Sequence, residues 1–145
     1  MLSLVICMKN FIRLICLFCF SFSIANAQDK EEVSLTETKW VLSNLNNKVI
    51  NNNEEGISSF MILSDDDSFT GFAGCNKFQG NYKSIKGKFT FSNIGATKML
   101  CENNNNEDEF LKALNKVINY TIIDNQLMLM DKTKTIAVFE AEKVK

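Results

Sequence analysis

Apolar residues recur at different spacings along the chain, and the spacings divide it. The first run, Leu14 to Ile24, is continuous, follows a short basic segment (Lys9, Arg13) and ends on Ala25-Asn26-Ala27. A basic segment, an apolar stretch of that length and a small-x-small site predict a secretory signal peptide, residues 1–27, cut after Ala27. The run is shorter than the roughly 20 residues a membrane-spanning helix takes, so the processed protein is not expected to be an integral membrane protein. Cys16 and Cys19 lie in this run behind Ile15 and Phe18, residues too large for a lipobox, and leave with it. Residues 28–37 are mostly polar and read as a flexible lead-in.

From residue 38 onward the pattern is that of strands. Lys39-Trp40-Val41-Leu42 opens the domain, and Asn44 to Asn53 reads as a turn or irregular loop. Ser58 to Leu63 and Ser68 to Phe72 flank Asp65-Asp66-Asp67, which predicts a hairpin. A strand through Asn76 to Tyr82 turns over Lys83 to Gly87 into Lys88-Phe89-Thr90-Phe91-Ser92, where Phe89 and Phe91 share a face. After Asn103 to Asn106 the period changes. Phe110, Leu111, Leu114, Val117 and Ile118 form one apolar stripe of a helix ending near Asn119, with Asn106 as N-cap and Glu109 at the capping-box position. Tyr120 to Ile123, Gln126 to Met130 and Thr135 to Phe139 return to strands. These elements predict an α+β fold: a curled antiparallel sheet, an incomplete barrel of six to eight strands, with one main helix, in a single domain of residues 38–145.

Three segments are apolar at consecutive positions: Phe60 to Leu63, Leu127 to Met130 and Ile136 to Phe139. A half-exposed antiparallel strand alternates instead, so something must cover the second face. A sheet curling into a partial barrel does this most simply. A ligand cavity lined by Met61, Met128 and Met130 is the sharper alternative.

Composition narrows the chemistry. Lys9 and Arg13 leave with the leader and no acid does, so the remaining chain carries a net charge of −3. That balance does not favour nucleic acid. The chain has no histidine, the commonest general base and metal ligand, and no proline, so its turns rest on Gly, Asn and Asp. Asp65-Asp66-Asp67 lacks the spaced oxygens, central Gly and distal Glu of a calcium loop and reads as a solvated turn. No grouping of side chains predicts a catalytic site, a cofactor site or a metal site.

Gly71 to Tyr82 holds three glycines and a cysteine in an otherwise strand-like stretch, and Thr97-Lys98-Met99-Leu100-Cys101 follows. The block Gly74-Cys75-Asn76-x-Phe78-x-Gly80-x-Tyr82, then Thr97-x-Met99-x-Cys101 and an acidic helix start, resembles the META domain, also called HslJ-like. Trp40, Leu42, Phe110, Leu114, Tyr120, Leu127, Leu129 and Phe139 extend the resemblance over nearly all of the chain after the leader. It implies a curled antiparallel α+β fold, an exported or envelope protein, and no enzyme activity.

Cys75 and Cys101 are the only cysteines left after cleavage, and an even count in an oxidising compartment points to a disulfide. No Cys-x-x-Cys spacing and no histidine is there to activate either thiol. The expectation is a periplasmic, envelope-associated or secreted accessory protein with an envelope protein as partner, acting through a sheet edge or the Gly71–Tyr82 face. A carrier of a lipid or other apolar small ligand is the alternative.

Overall fold

The computed structural model describes residues 33–51, 58–86, 88–100 and 106–142. The predicted signal peptide, the first part of the lead-in and Cys101 lie outside the described residues.

The described residues form nine strands and one helix, in order β1 (Lys39–Leu45), β2 (Lys48–Val49), β3 (Phe60–Leu63), β4 (Ser68–Phe72), β5 (Lys77–Ile85), β6 (Lys88–Ala96), α1 (Glu107–Leu114), β7 (Asn119–Ile123), β8 (Gln126–Asp131) and β9 (Lys134–Glu142). All pair antiparallel in one sheet ordered β6-β5-β4-β3-β1-β9-β8-β7, with β2 added on β1. The sheet curls until its two edges touch at one corner. There the Phe89 N–H donates to the Ile118 carbonyl at 2.9 Å, and the Phe89 and Tyr120 rings lie 5.0 Å apart. The expected incomplete barrel is therefore present, with β2 as a ninth strand beyond the six to eight predicted.

The interior explains the doubly apolar strands. Met61 and Leu63 of β3, Leu127 and Leu129 of β8, and Phe139 of β9 are fully buried, while Phe60, Ile62, Met128, Met130 and Val138 alternate with them and stay half-exposed. Helix α1 inserts Phe110 edge-on to Phe78 of β5 at 5.4 Å and beside Phe139 at 5.9 Å. Aromatic contact continues through Phe69, Phe91 and Phe89, each neighbouring pair at about 5 Å. Part of the lead-in also belongs to the fold. Trp40, fully buried, donates its indole N–H to the Leu35 carbonyl at 2.9 Å, and the Glu37 N–H reaches the Leu63 carbonyl at 2.8 Å.

Three local expectations change. Asn44 to Asn53 contains a hairpin, because Asn46 and Asn47 both take positive φ (49° and 67°), the combination a two-residue type I′ turn requires. The helix stops at Leu114, where the Lys116 and Val117 amides bond three residues back to Ala113 and Leu114. Val117 is buried from the turn that follows, and Ile118 is 40% exposed. Asn106 gives α1 no side-chain cap, since its amide oxygen accepts from Lys48 Nζ at 3.1 Å. Glu109 likewise accepts from Asn46 Nδ2 at 2.7 Å, which ties the helix to the β1–β2 turn.

Candidate functional site

The glycine-rich block makes the β4–β5 connection. Gly71 faces Phe78 and Gly80 faces Phe69 across these two strands, so each aromatic ring lies over a glycine. A Cβ at Gly71 would sit 2.5 Å from the Phe78 ring, and one at Gly80 would sit 2.8 Å from the Phe69 ring and the Ser92 carbonyl. The glycines are thus what lets the two phenylalanines enter the core. Gly74 turns the chain at φ 101°, a conformation that side chains rarely adopt.

That turn delivers Asn76 into the interior, where it is 4% exposed and every polar atom of its side chain is engaged. Its Oδ1 accepts from Thr97 Oγ1 at 2.7 Å and from the Met99 N–H at 2.8 Å. Its Nδ2 donates to Glu107 Oε1 at 3.0 Å, and its backbone N–H donates to Glu107 Oε2 at 3.0 Å. Glu107, the first residue of α1, is itself only 7% exposed. Negative charge is also favoured at a helix start, where the helix dipole is positive. One asparagine therefore ties the β4–β5 turn, the segment after β6 and the helix together.

Both motif blocks converge on this point. Gly74, Cys75 and Asn76 form the turn, Phe78 and Gly80 line β5, and Thr97 and Met99 hold Asn76. Tyr82 stands apart, its hydroxyl donating to the Ser64 carbonyl at 2.9 Å. Burial, then the charges of Asp67, Asp65 and Asp66, push the Tyr82 phenol above its ordinary value of 10.0. In the acidic turn, Asp66 accepts from both the amide and the hydroxyl of Ser68, which lowers its carboxyl. Among the described residues, no group of three or more His, Cys, Asp or Glu is placed to hold a metal, and no helix is long and apolar enough to cross a membrane.

Two features escape the sequence reading. Glu107 enters there only as part of an acidic helix start, and its burial against Asn76 is set by contacts across 31 positions. The second is charge segregation, which the net value of −3 conceals. From Ser68 to Leu100 there is no Asp or Glu, yet the stretch holds Lys77, Lys83, Lys86, Lys88 and Lys98, all exposed. The three methionines proposed to line one cavity do not share a space. Met61 is fully buried, whereas Met128 and Met130 lie on the opposite face of their strand from buried Leu127 and Leu129.

The family model for the META domain matches residues 33–143. Among solved structures, the chain is similar to a protein from Burkholderia xenovorans determined by NMR, at 23% identity and a TM-score of 0.63, covering 83% of this chain and 100% of that one. A second NMR structure matches at 21% identity and a TM-score of 0.57, over 75% of this chain and 95% of that one. A DUF4847 family protein from Bacteroides vulgatus aligns at 24% identity and a TM-score of 0.46, over 60% and 61% of the two chains. No curated protein matches.

Proposed function

The chain belongs to the META domain family, and on that footing we propose that it is an exported, non-catalytic accessory protein of the cell envelope that works by binding another protein. The observation that carries this reading is the division of its apolar residues. The inner face of the sheet is closed over buried side chains, while Phe60, Phe72, Met128 and Val138 stand half-buried on the outer face. Phe60 and Phe72 pair across β3 and β4 with their rings 6.4 Å apart, and Met128 pairs with Val138 across β8 and β9. Apolar surface of this kind, rimmed by polar residues, suits contact with another protein. Asn76 and Glu107, the buried polar pair, are spent on each other and on the backbone, as a structural cluster would be.

Export rests on the basic-apolar-small pattern of residues 1–27, and the covalent staple on Cys75 pairing with Cys101. Native mass spectrometry of the protein purified from envelope extract, with and without reductant, tests all three parts. The reading expects cleavage after Ala27, a complex with a second polypeptide, and a gain of two hydrogens on reduction. A lone polypeptide that retains a small apolar molecule would favour the carrier instead.

A further inference from the structure

The five lysines between Ser68 and Leu100 lie at the two ends of one hairpin, Lys83, Lys86 and Lys88 about its turn and Lys77 and Lys98 at its open end. β5 and β6 form this hairpin at the edge of the sheet, and Phe78, Tyr82, Phe89 and Phe91 point into the core, so the alternate positions face outward. Gln79, Asn81, Thr90 and Ser92 are exposed between the lysines, so the middle of this face is polar and its ends basic, with Ile85 exposed beside the turn and Met99 and Leu100 beside Lys98. β6 is also an open edge. Beyond the single Phe89–Ile118 bond, Thr90 to Ala96 pair with no described strand on their outer side. Near the end of β6, Gly95 has nothing within 4 Å of where a Cβ would stand. A groove of about 440 Å³ opens there between Lys77, Gln79, Ala96 and Thr97.

Resting on the protein-binding reading above, we propose that this hairpin is the docking edge for an extended, acidic segment of a partner protein. The segment adds as a further strand along β6, following it across the bulge that Asn93 (φ 54°) makes between Ser92 and Gly95, seats one side chain in the groove over Gly95, and lays its carboxylates against the flanking lysines. Charge selects the occupant. Lys88 on the edge strand and the lysines flanking it repel a second copy of the same edge, and they attract a strand of opposite sign. Of the acids near this face, Glu107 beside Asn76 is buried and spent on that asparagine, and Asp65 to Asp67 sit at the Tyr82 end of β5, away from Gly95. The polar character of the face favours main-chain hydrogen bonding with a strand over burial in acyl chains.

The test is fluorescence anisotropy of the full mature protein with labelled ten-residue peptides as probes. The peptides are an alternating Val-Glu peptide, its Val-Lys counterpart, and a Val-Glu peptide N-methylated at alternate residues, which keeps the charge and removes strand donors. The proposal expects the plain Val-Glu peptide to bind at least about tenfold more tightly than either control and to weaken with salt. Lys77→Glu with Lys98→Glu should weaken it about tenfold or more, with the thermal melt confirming that the variant is folded. Equal binding of the N-methylated peptide overturns strand addition. Binding only to phosphatidylglycerol vesicles replaces the partner protein with a lipid surface. No binding to any probe leaves the lysines as guards of the edge and overturns the proposal. If the native complex from envelope extract survives in the double variant, the docking edge is wrong and the protein-binding reading stands. If the wild type yields no complex, that reading falls with it.

Discussion

Replacing Asn76 by Asp exchanges one atom and should be among the most damaging changes in this domain. The substitution puts an oxygen where Nδ2 stands, 3.0 Å from Glu107 Oε1. Two unit charges at that distance repel by about 5 kcal/mol at an effective dielectric near 20. Taking up a proton is cheaper. It costs about 1.4 kcal/mol per pH unit above the ordinary carboxylate value near 4, or about 4 kcal/mol near pH 7. The sign follows from linkage. The variant's folded state holds a proton that its unfolded chain releases above about pH 4, so stability is complete below that point and falls as pH rises. Asn76→Asp should therefore lose about 4 kcal/mol against wild type near pH 7 and only about 1.5 near pH 5, where the protonated carboxyl again donates to Glu107. Asn76→Ala removes the Thr97, Met99 and Glu107 bonds and should cost roughly 3 kcal/mol at both pH values. Urea unfolding followed by Trp40 fluorescence measures both. A stable Asn76→Asp protein, or a loss that does not shrink on acidification, would refute the hub.

Three further outcomes follow from the same geometry. Opening the proposed Cys75–Cys101 bridge releases a loop of 27 residues, and Cys75→Ser with Cys101→Ser should cost roughly 3.5 kcal/mol, read as a lower urea midpoint. Gly71→Ala and Gly80→Ala should each cost about 1–3 kcal/mol by pushing Phe78 or Phe69 out of place, whereas Gly95→Ala, with open space around it, should change the melting temperature little. In a Tyr120→Phe background, tyrosinate absorbance should place the Tyr82 midpoint above 10.0; the raised folded value means stability is complete below the ordinary phenol pKa and declines as pH rises past it.

What the chain discloses before folding depends on whether an interaction is local. The Phe89/Phe91 alternation, the Asp65–Asp67 turn and the two-faced apolar strands are readable because period and turn chemistry act over a few residues. The asparagine-rich stretch after Asn44 reads as a turn or loop, but neither the type I′ geometry at Asn46-Asn47 nor the short strand β2 that it creates is legible in it. The apolar stripe through Val117 and Ile118 overran the helix, since those residues suit a helix face and also a turn entering a strand. For the candidate site, the motif residues were visible as a list while their roles were not. Asn76 and Glu107 are adjacent only because β5 and α1 pack together, which no periodicity encodes. The lysine segregation was legible throughout and was concealed by summing charge over the whole chain.

The position of β1 sets a limit on when the molecule can be finished. This first strand lies at the centre of the sheet, and Trp40 pairs with Met61 on one side and with Ala141 on the other. A chain emerging from its N-terminus can complete the first pairing early, yet the second waits for almost the last residue. Such long-range closure is slow. Removing β9 would leave β1 an open edge along its Ala141 side.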